Sequence, residues 1–302
     1  MIVSASYRTD IPAFYRRWFL ARLADGYCRV ANPYGGPPYR VALTRAAADG
    51  FVFWTRNVAP FTAALRAVEA RDQPFVVQFT ATGYPRVLER SVIAADEAIA
   101  QMRMLATDFG PRVVVWRYDP VVLTKLTPAR WHRENFARLA ARLHGLCDEV
   151  VVSFAQIYAK TRRRLTRAAQ DADFAWWDPP ADEKKALLGQ LGDIAGAHGM
   201  ALSLCAQPAL LVPGARPARC IDSARLSDVA GRVIDAPIKG NRKGCECARS
   251  RDIGSYDSCA QGCVYCYAVS NSIKAVRALR GHDPDRDMLA PEITEKSKCE
   301  TR

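Results

Sequence analysis

The feature that most constrains this chain is an alternation. Short, continuous apolar runs at residues 2–6, 51–55, 75–80, 112–117, 150–154 and 200–205 are separated by segments with helical character. The helical segments span about 12–24, 60–70, 92–106, 127–146 and 181–197, and a weaker strand falls at 27–31. The runs do not alternate polar with apolar, which is the pattern of strands covered on both faces. Strands linked by helices of ten or more residues pair in parallel through right-handed crossovers. The chain therefore reads as α/β, either a doubly wound sheet or a parallel βα barrel or partial barrel of the TIM-like kind.

The strand ends favour the barrel. Polar residues follow run after run: Ser4, Ser6 and Arg8; Thr55, Arg56 and Asn57; Gln78, Thr80 and Thr82; Arg117 and Asp119; Ser153, Gln156 and Tyr158; Cys205 and Gln207. In a barrel such ends converge on one mouth, whereas a doubly wound sheet concentrates function at one crevice. No dinucleotide fingerprint and no P-loop is present. Arg117, Asp119, Arg56 and Gln78 are the candidate catalytic residues lining that mouth. Arg117 can clamp a carboxylate bidentately, or Arg117 and Asp119 can brace the rim as an internal pair.

A formal net charge of +12 favours anionic partners, either an anionic substrate or nucleic acid. The densest basic run, Lys160 to Arg167, is followed by Trp176 and Trp177, which suits phosphate binding and base stacking; the plainer reading is a solvated loop-to-helix segment. No signal peptide and no apolar run of spanning length is visible, so a cytoplasmic protein is expected, with no membrane partner. In a reducing compartment ten cysteines do not read as a disulfide framework. Isolated Cys28 and Cys147 read as small buried apolar residues. His132 and His144 fall in one helix too far apart to share a metal and read as helix-surface residues. Any metal is therefore held mainly by sulfur.

Half of the cysteines lie between Cys245 and Cys266. Cys259, Cys263 and Cys266 have the spacing C-x3-C-x2-C, with Tyr265 just before the last and Gly262 relieving crowding beside Cys263. Three thiolates so spaced suit three irons of a [4Fe–4S] cube, leaving the fourth iron open for a small molecule. Tyr265 is the candidate cofactor contact, packing near an adenine. Two alternatives stand beside this. Cys245 or Cys247 can complete a closed electron-transfer cluster, or the two can join later cysteines in a zinc tetrahedron. Cys205, Cys220, Cys245 and Cys247 together can also make a second, closed site.

The run Gly262-Cys-Val-Tyr-Cys-Tyr267 resembles the cluster loop of radical S-adenosylmethionine enzymes and is locally similar to spore photoproduct lyase. Nearly the whole chain resembles an uncharacterised bacterial family, domain of unknown function 1848. The stretches that carry this are 2–14, 50–57, 116–120 and 250–268. The resemblance implies a [4Fe–4S] cluster, S-adenosyl-L-methionine as cosubstrate and an electron donor such as ferredoxin or flavodoxin; it supplies no substrate. In most radical S-adenosylmethionine enzymes the cluster loop follows the first barrel strand, whereas here it comes last, and no Gly-Gly-Glu-like motif follows. The expected organisation is a barrel core over 1–240, a cysteine-rich cluster loop and helix over 241–280, and a poorly ordered tail over 281–302. The second functional reading is a non-catalytic iron–sulfur or zinc protein that binds nucleic acid. A third is a metal-stabilised barrel hydrolase or isomerase acting through Asp119.

Overall fold

The computed structural model describes residues 1–32 and 35–290. Eight strands form one parallel sheet: β1 (Ile2–Ala5), β2 (Gly50–Thr55), β3 (Phe75–Thr80), β4 (Val114–Val121), β5 (Glu149–Phe154), β6 (Ala201–Leu204), β7 (Arg216–Pro217) and β8 (Ser250–Asp252). Their order across the sheet is β7-β6-β5-β4-β3-β2-β1-β8. Each strand adds beside its predecessor, and the last lands on the free side of β1. This sequential order lacks the reversal of a doubly wound sheet. Among the described residues no ladder pairs β7 with β8.

The two faces are covered differently. On one, Phe51, Phe53, Phe75, Val77, Phe79, Trp116 and Val150 pack against Trp18, Phe19, Leu65, Met102, Phe136 and Leu188 from the connecting helices. Full burial of each such side chain contributes about 1.5–3 kcal/mol, which makes this face the main core. The other face starts apolar, with Ile2, Val52, Val76, Val115 and Val151 under Ile221, Leu226 and Ile234 from the chain between β7 and β8. It then turns polar toward the strands' C-terminal ends, with Ser4, Gln78, Arg117 and Ser153 all buried. Helix Ser223–Ala230 closes the opposite end. Its Arg225, 2% exposed, donates to Asp148 (2.9 Å), Glu149 (2.8 Å) and the Arg112 carbonyl (3.0 Å).

Several expectations need correction. The first helix breaks at Tyr15 into Ile11–Phe14 and Arg16–Asp25. Tyr27–Val30 pairs antiparallel with Tyr39–Ala42, outside the main sheet. Residues 232–236, which also read as a strand, form none: Val233 is 86% exposed and Ile234 alone of the stretch is buried. The last strands are instead β7 and β8, too short to leave an apolar pattern. Lys160 to Arg167 lie within helix Ala159–Asp171 and are not a loop. His132 is fully buried, bonding the Tyr118 hydroxyl (2.9 Å) and the Val122 carbonyl (3.1 Å). Cys28 and Cys147 are buried as expected.

Residues 281–290, assigned above to a poorly ordered tail, run beside the hairpin. Arg29 N donates to Asp287 O (2.9 Å), Arg22 reaches Asp285 O (3.0 Å), and Met288 and Leu289 are buried. Residues 291–302, with Cys299, lie outside the described residues, as do Pro33 and Tyr34. Among the described residues no helix is long and apolar enough to cross a membrane.

Candidate functional site

The loop carrying Cys259, Cys263 and Cys266 is fastened over the C-terminal ends of β1, β2 and β3. Asp10, following β1, is the first anchor. Its carboxylate accepts from Thr55 Oγ1 (2.7 Å), Arg56 N (2.9 Å), Ala13 N (3.0 Å) and, from the loop, Gln261 Nε2 (2.8 Å). Thr9 Oγ1 lies 2.6 Å from Ser258 Oγ, and Tyr15 donates its hydroxyl proton to the Ser258 carbonyl (2.7 Å). Backbone bonds Ser91 N to Gln261 O (3.1 Å) and Val264 N to Leu88 O (3.0 Å) hold the other edge.

A buried charged knot sits beneath. Arg56 Nη1 donates to Glu89 (2.7 Å), Arg56 Nη2 to the Tyr265 hydroxyl (2.8 Å), and Thr82 Oγ1 to Glu89 (2.6 Å); Tyr265 also donates to Glu89. From the far side Arg164 donates to the carbonyls of Cys263, Cys266 (3.2 Å) and Val269 (2.6 Å). The basic run is thus only partly a solvated face: its central arginine braces the cysteine loop. Gly262 has φ +72°, and a Cβ there would lie 3.2 Å from Arg90 Cβ, so the tight turn into Cys263 needs glycine.

The three thiols lie within electrostatic reach of one another. Burial pushes the Cys259 thiol up, and burial pushes Cys263 up to about 12 although the Arg56 guanidinium pulls the other way. As free thiols these two stay protonated; a coordinated metal would remove those protons outright. Ala268 N donates to Cys266 Sγ (3.3 Å), the kind of amide contact that supports a thiolate.

Cys245 and Cys247 do not join this loop. They meet Cys205, which follows β6, and Cys220, which follows β7. Cys220 Sγ is 3.7 Å from Cys205 Sγ, Ile221 N donates to Cys247 Sγ (3.4 Å), and all four cysteines pack in one apolar cluster. The Cys247 thiol holds Cys245 down at about 6. Among the described residues no set of three or more His, Cys, Asp or Glu side chains already surrounds a point where a single metal ion could sit.

Arg117, Asp119 and Gln78 come together beside this second group. Arg117 donates to Gln78 Oε1 (3.0 Å), Cys220 Sγ (3.1 Å) and Asp119, and its guanidinium lies over Trp54 (4.7 Å). Ser153 donates to Asp119, and Gln78 Nε2 to the Cys220 carbonyl (2.9 Å). Both Nη groups of Arg117 are thus engaged within the protein. Arg56 sits apart from Arg117, committed to Glu89. Tyr265 is buried, edge-on to Tyr84 (5.8 Å).

Sequence reasoning passed over Asp10, Glu89, Arg164 and Asp252 as site residues. Asp252 on β8 accepts from Ser4 Oγ (2.9 Å), Ser6 Oγ (2.8 Å), Tyr7 N (3.1 Å), Arg8 Nε (2.9 Å) and Gly254 N (2.9 Å). It pins the start of the cysteine loop to β1. The one available signal was its place inside the stretch 250–268. Around these groups stands a rim of partly exposed aromatic rings, Tyr7, Tyr256 and Tyr267, with Arg8 5.7 Å from the Tyr7 ring and Lys160 5.9 Å from the Tyr256 ring. A hollow of about 390 Å³ lies elsewhere, behind Tyr15 and against Trp18, Leu279 and His282.

Searches of curated proteins and of solved structures returned no match. A family described as "Domain of unknown function (DUF1848)" matches residues 2–268, from β1 through the cysteine loop. That span covers both thiol groups and every strand of the sheet, and the chain belongs to this family.

Proposed function

We propose that this protein is a radical S-adenosylmethionine-type enzyme, with Cys259, Cys263 and Cys266 as the ligands of an open [4Fe–4S] cluster at the mouth of a partial βα barrel. One observation carries the reading: three neighbouring thiols share a loop fastened to three strand ends, while Cys245 and Cys247 are engaged elsewhere. That leaves no fourth cysteine beside the triad among the described residues. Thiols that each bind a different iron need not converge on one point, so the lack of a single-ion cage does not count against this donor set. When bound, such a cluster supplies an electron that cleaves S-adenosylmethionine to methionine and a 5′-deoxyadenosyl radical.

The chain's own residues then have definite work. Asp10, Glu89, Arg56 and Arg164 fix the loop so that its sulfurs do not move relative to the strand ends. Buried Tyr265 excludes water from beneath it. The aromatic rim with Lys160 suits an anionic substrate that presents a flat or apolar surface. A cytoplasmic setting, with a ferredoxin- or flavodoxin-type donor, follows from the same chemistry.

The test is spectroscopic. Protein reconstituted anaerobically with iron and sulfide and then reduced should show a cluster electron paramagnetic resonance signal that changes shape on adding S-adenosylmethionine. A fully loaded, reduced cluster whose signal is indifferent to S-adenosylmethionine would contradict the open iron.

A further inference from the structure

We propose that Cys205, Cys220, Cys245 and Cys247 are the four thiolate ligands of a second metal centre, one that clips the two edges of the sheet together. This does not rest on the function proposed above. The four come from three separate segments: Cys205 just after β6, Cys220 just after β7, and Cys245 and Cys247 on the approach to β8. These are the segments that flank the unpaired gap between β7 and β8. Across that gap run Ala248 N to Ile221 O (2.8 Å) and Ile221 N to Cys247 Sγ (3.4 Å).

The geometry suits a soft, tetrahedral ion. With metal–sulfur bonds of about 2.3 Å, neighbouring sulfurs of a tetrathiolate lie about 3.8 Å apart. The Cys205–Cys220 separation is 3.7 Å, so one edge is already set. The other two thiols pack in the same apolar cluster, Cys247 accepting from Ile221 N (3.4 Å), the residue after Cys220, and Cys245 lying two residues before Cys247. Cys245 and Cys205 are the half-buried members, and these would swing to close the cage and admit the ion.

The surroundings are built for a buried anion. Four thiolates on a divalent ion carry a net charge of about −2. Two guanidinium groups already donate to these sulfurs, Arg117 to Cys220 (3.1 Å) and Arg242 to Cys205 (3.6 Å). Neutral thiols in an apolar core need no such partners, whereas coordinated thiolates are regularly supported by outer donors. The turn that presents Cys245 is also sterically fixed: a Cβ at Gly240 would lie 2.0 Å from the Cys245 carbonyl oxygen. Binding involves no redox change. The ion displaces the remaining thiol protons to solvent, so uptake releases protons and strengthens as pH rises.

Zinc and a single iron share this tetrathiolate chemistry, and metal analysis separates them. The experiment uses the full chain purified anaerobically, with zinc, iron and acid-labile sulfide measured per chain. The double variant Cys263→Ser/Cys266→Ser, which removes the first group, should keep about one zinc or one iron per chain without acid-labile sulfide. Adding Cys245→Ser, at the half-buried end, should lower affinity for that metal by at least about tenfold while circular dichroism stays native. Alkylation by iodoacetamide gives a second readout. In the double variant all four thiols should be protected until a chelator is added. Loss of all metal from the folded double variant would overturn the proposal and leave the open-cluster reading untouched. So would metal unaffected by Cys245→Ser, or a Cys205–Cys220 disulfide in the anaerobic protein.

Discussion

The two thiol groups occupy the same end of one sheet and are built on opposite plans. Cys259, Cys263 and Cys266 sit on a single loop, fixed by side chains reaching in from outside (Asp10, Glu89 through Tyr265, and Arg164) and by backbone bonds to Leu88 and Ser91. Cys205, Cys220, Cys245 and Cys247 come from strand ends far apart in sequence, and the sheet itself brings them together. A loop held by satellites can be emptied or altered without unmaking the sheet. A group that spans the gap between the two sheet edges is part of how the sheet is closed. The first plan suits chemistry and the second suits closure.

The sharpest way to break this contrast is Cys263→Ala. The fold and the four-thiol group should survive, while iron at the loop and any formation of 5′-deoxyadenosine fall to background. A collapse of the whole protein would erase the distinction between the groups. Next comes Arg56→Met, which strands Glu89, 3% exposed, without its cation. Leaving a buried charge unpaired costs about 3–5 kcal/mol, readable as a lower denaturation midpoint. Iron should leave the loop faster as well, with the four-thiol group unaffected.

Acid titration probes the sheet rather than either thiol group. Burial lowers His132 to about 4 from an ordinary value of 6.5. The unfolded chain binds a proton below 6.5 that the folded chain refuses until about pH 4, so stability is intact above 6.5 and declines as pH falls across that window. The linked loss is about 3 kcal/mol. Urea midpoints between pH 7 and 4 should show this slope, and His132→Gln should flatten it. The smallest effect is Gly262→Ala. A side chain at φ +72° costs about 1–2 kcal/mol, and the loss should appear as slower iron loading of the loop with little change in global melting.

The difference between the groups also explains what could be read from sequence. C-x3-C-x2-C is a local spacing, so the triad was legible. Cys205 and Cys220 carry no spacing signal toward Cys247, because their proximity is a product of strand order. Buried apolar runs disclosed β2 through β6. They could not disclose β7 and β8, which are two and three residues long and rich in charge. Arg164 reads as one more charge in a basic run, and only the placement of helix Ala159–Asp171 against the loop shows that it caps three carbonyls. Arg117 and Asp119 were legible as a pair, but that their neighbour would be a thiol was not.

The most direct test of the central claim is product formation. Protein reconstituted to about four irons at the triad, reduced anaerobically and given S-adenosylmethionine should release 5′-deoxyadenosine and methionine. The Cys263→Ala variant should release none. No 5′-deoxyadenosine from fully loaded, reduced wild-type protein would contradict the account.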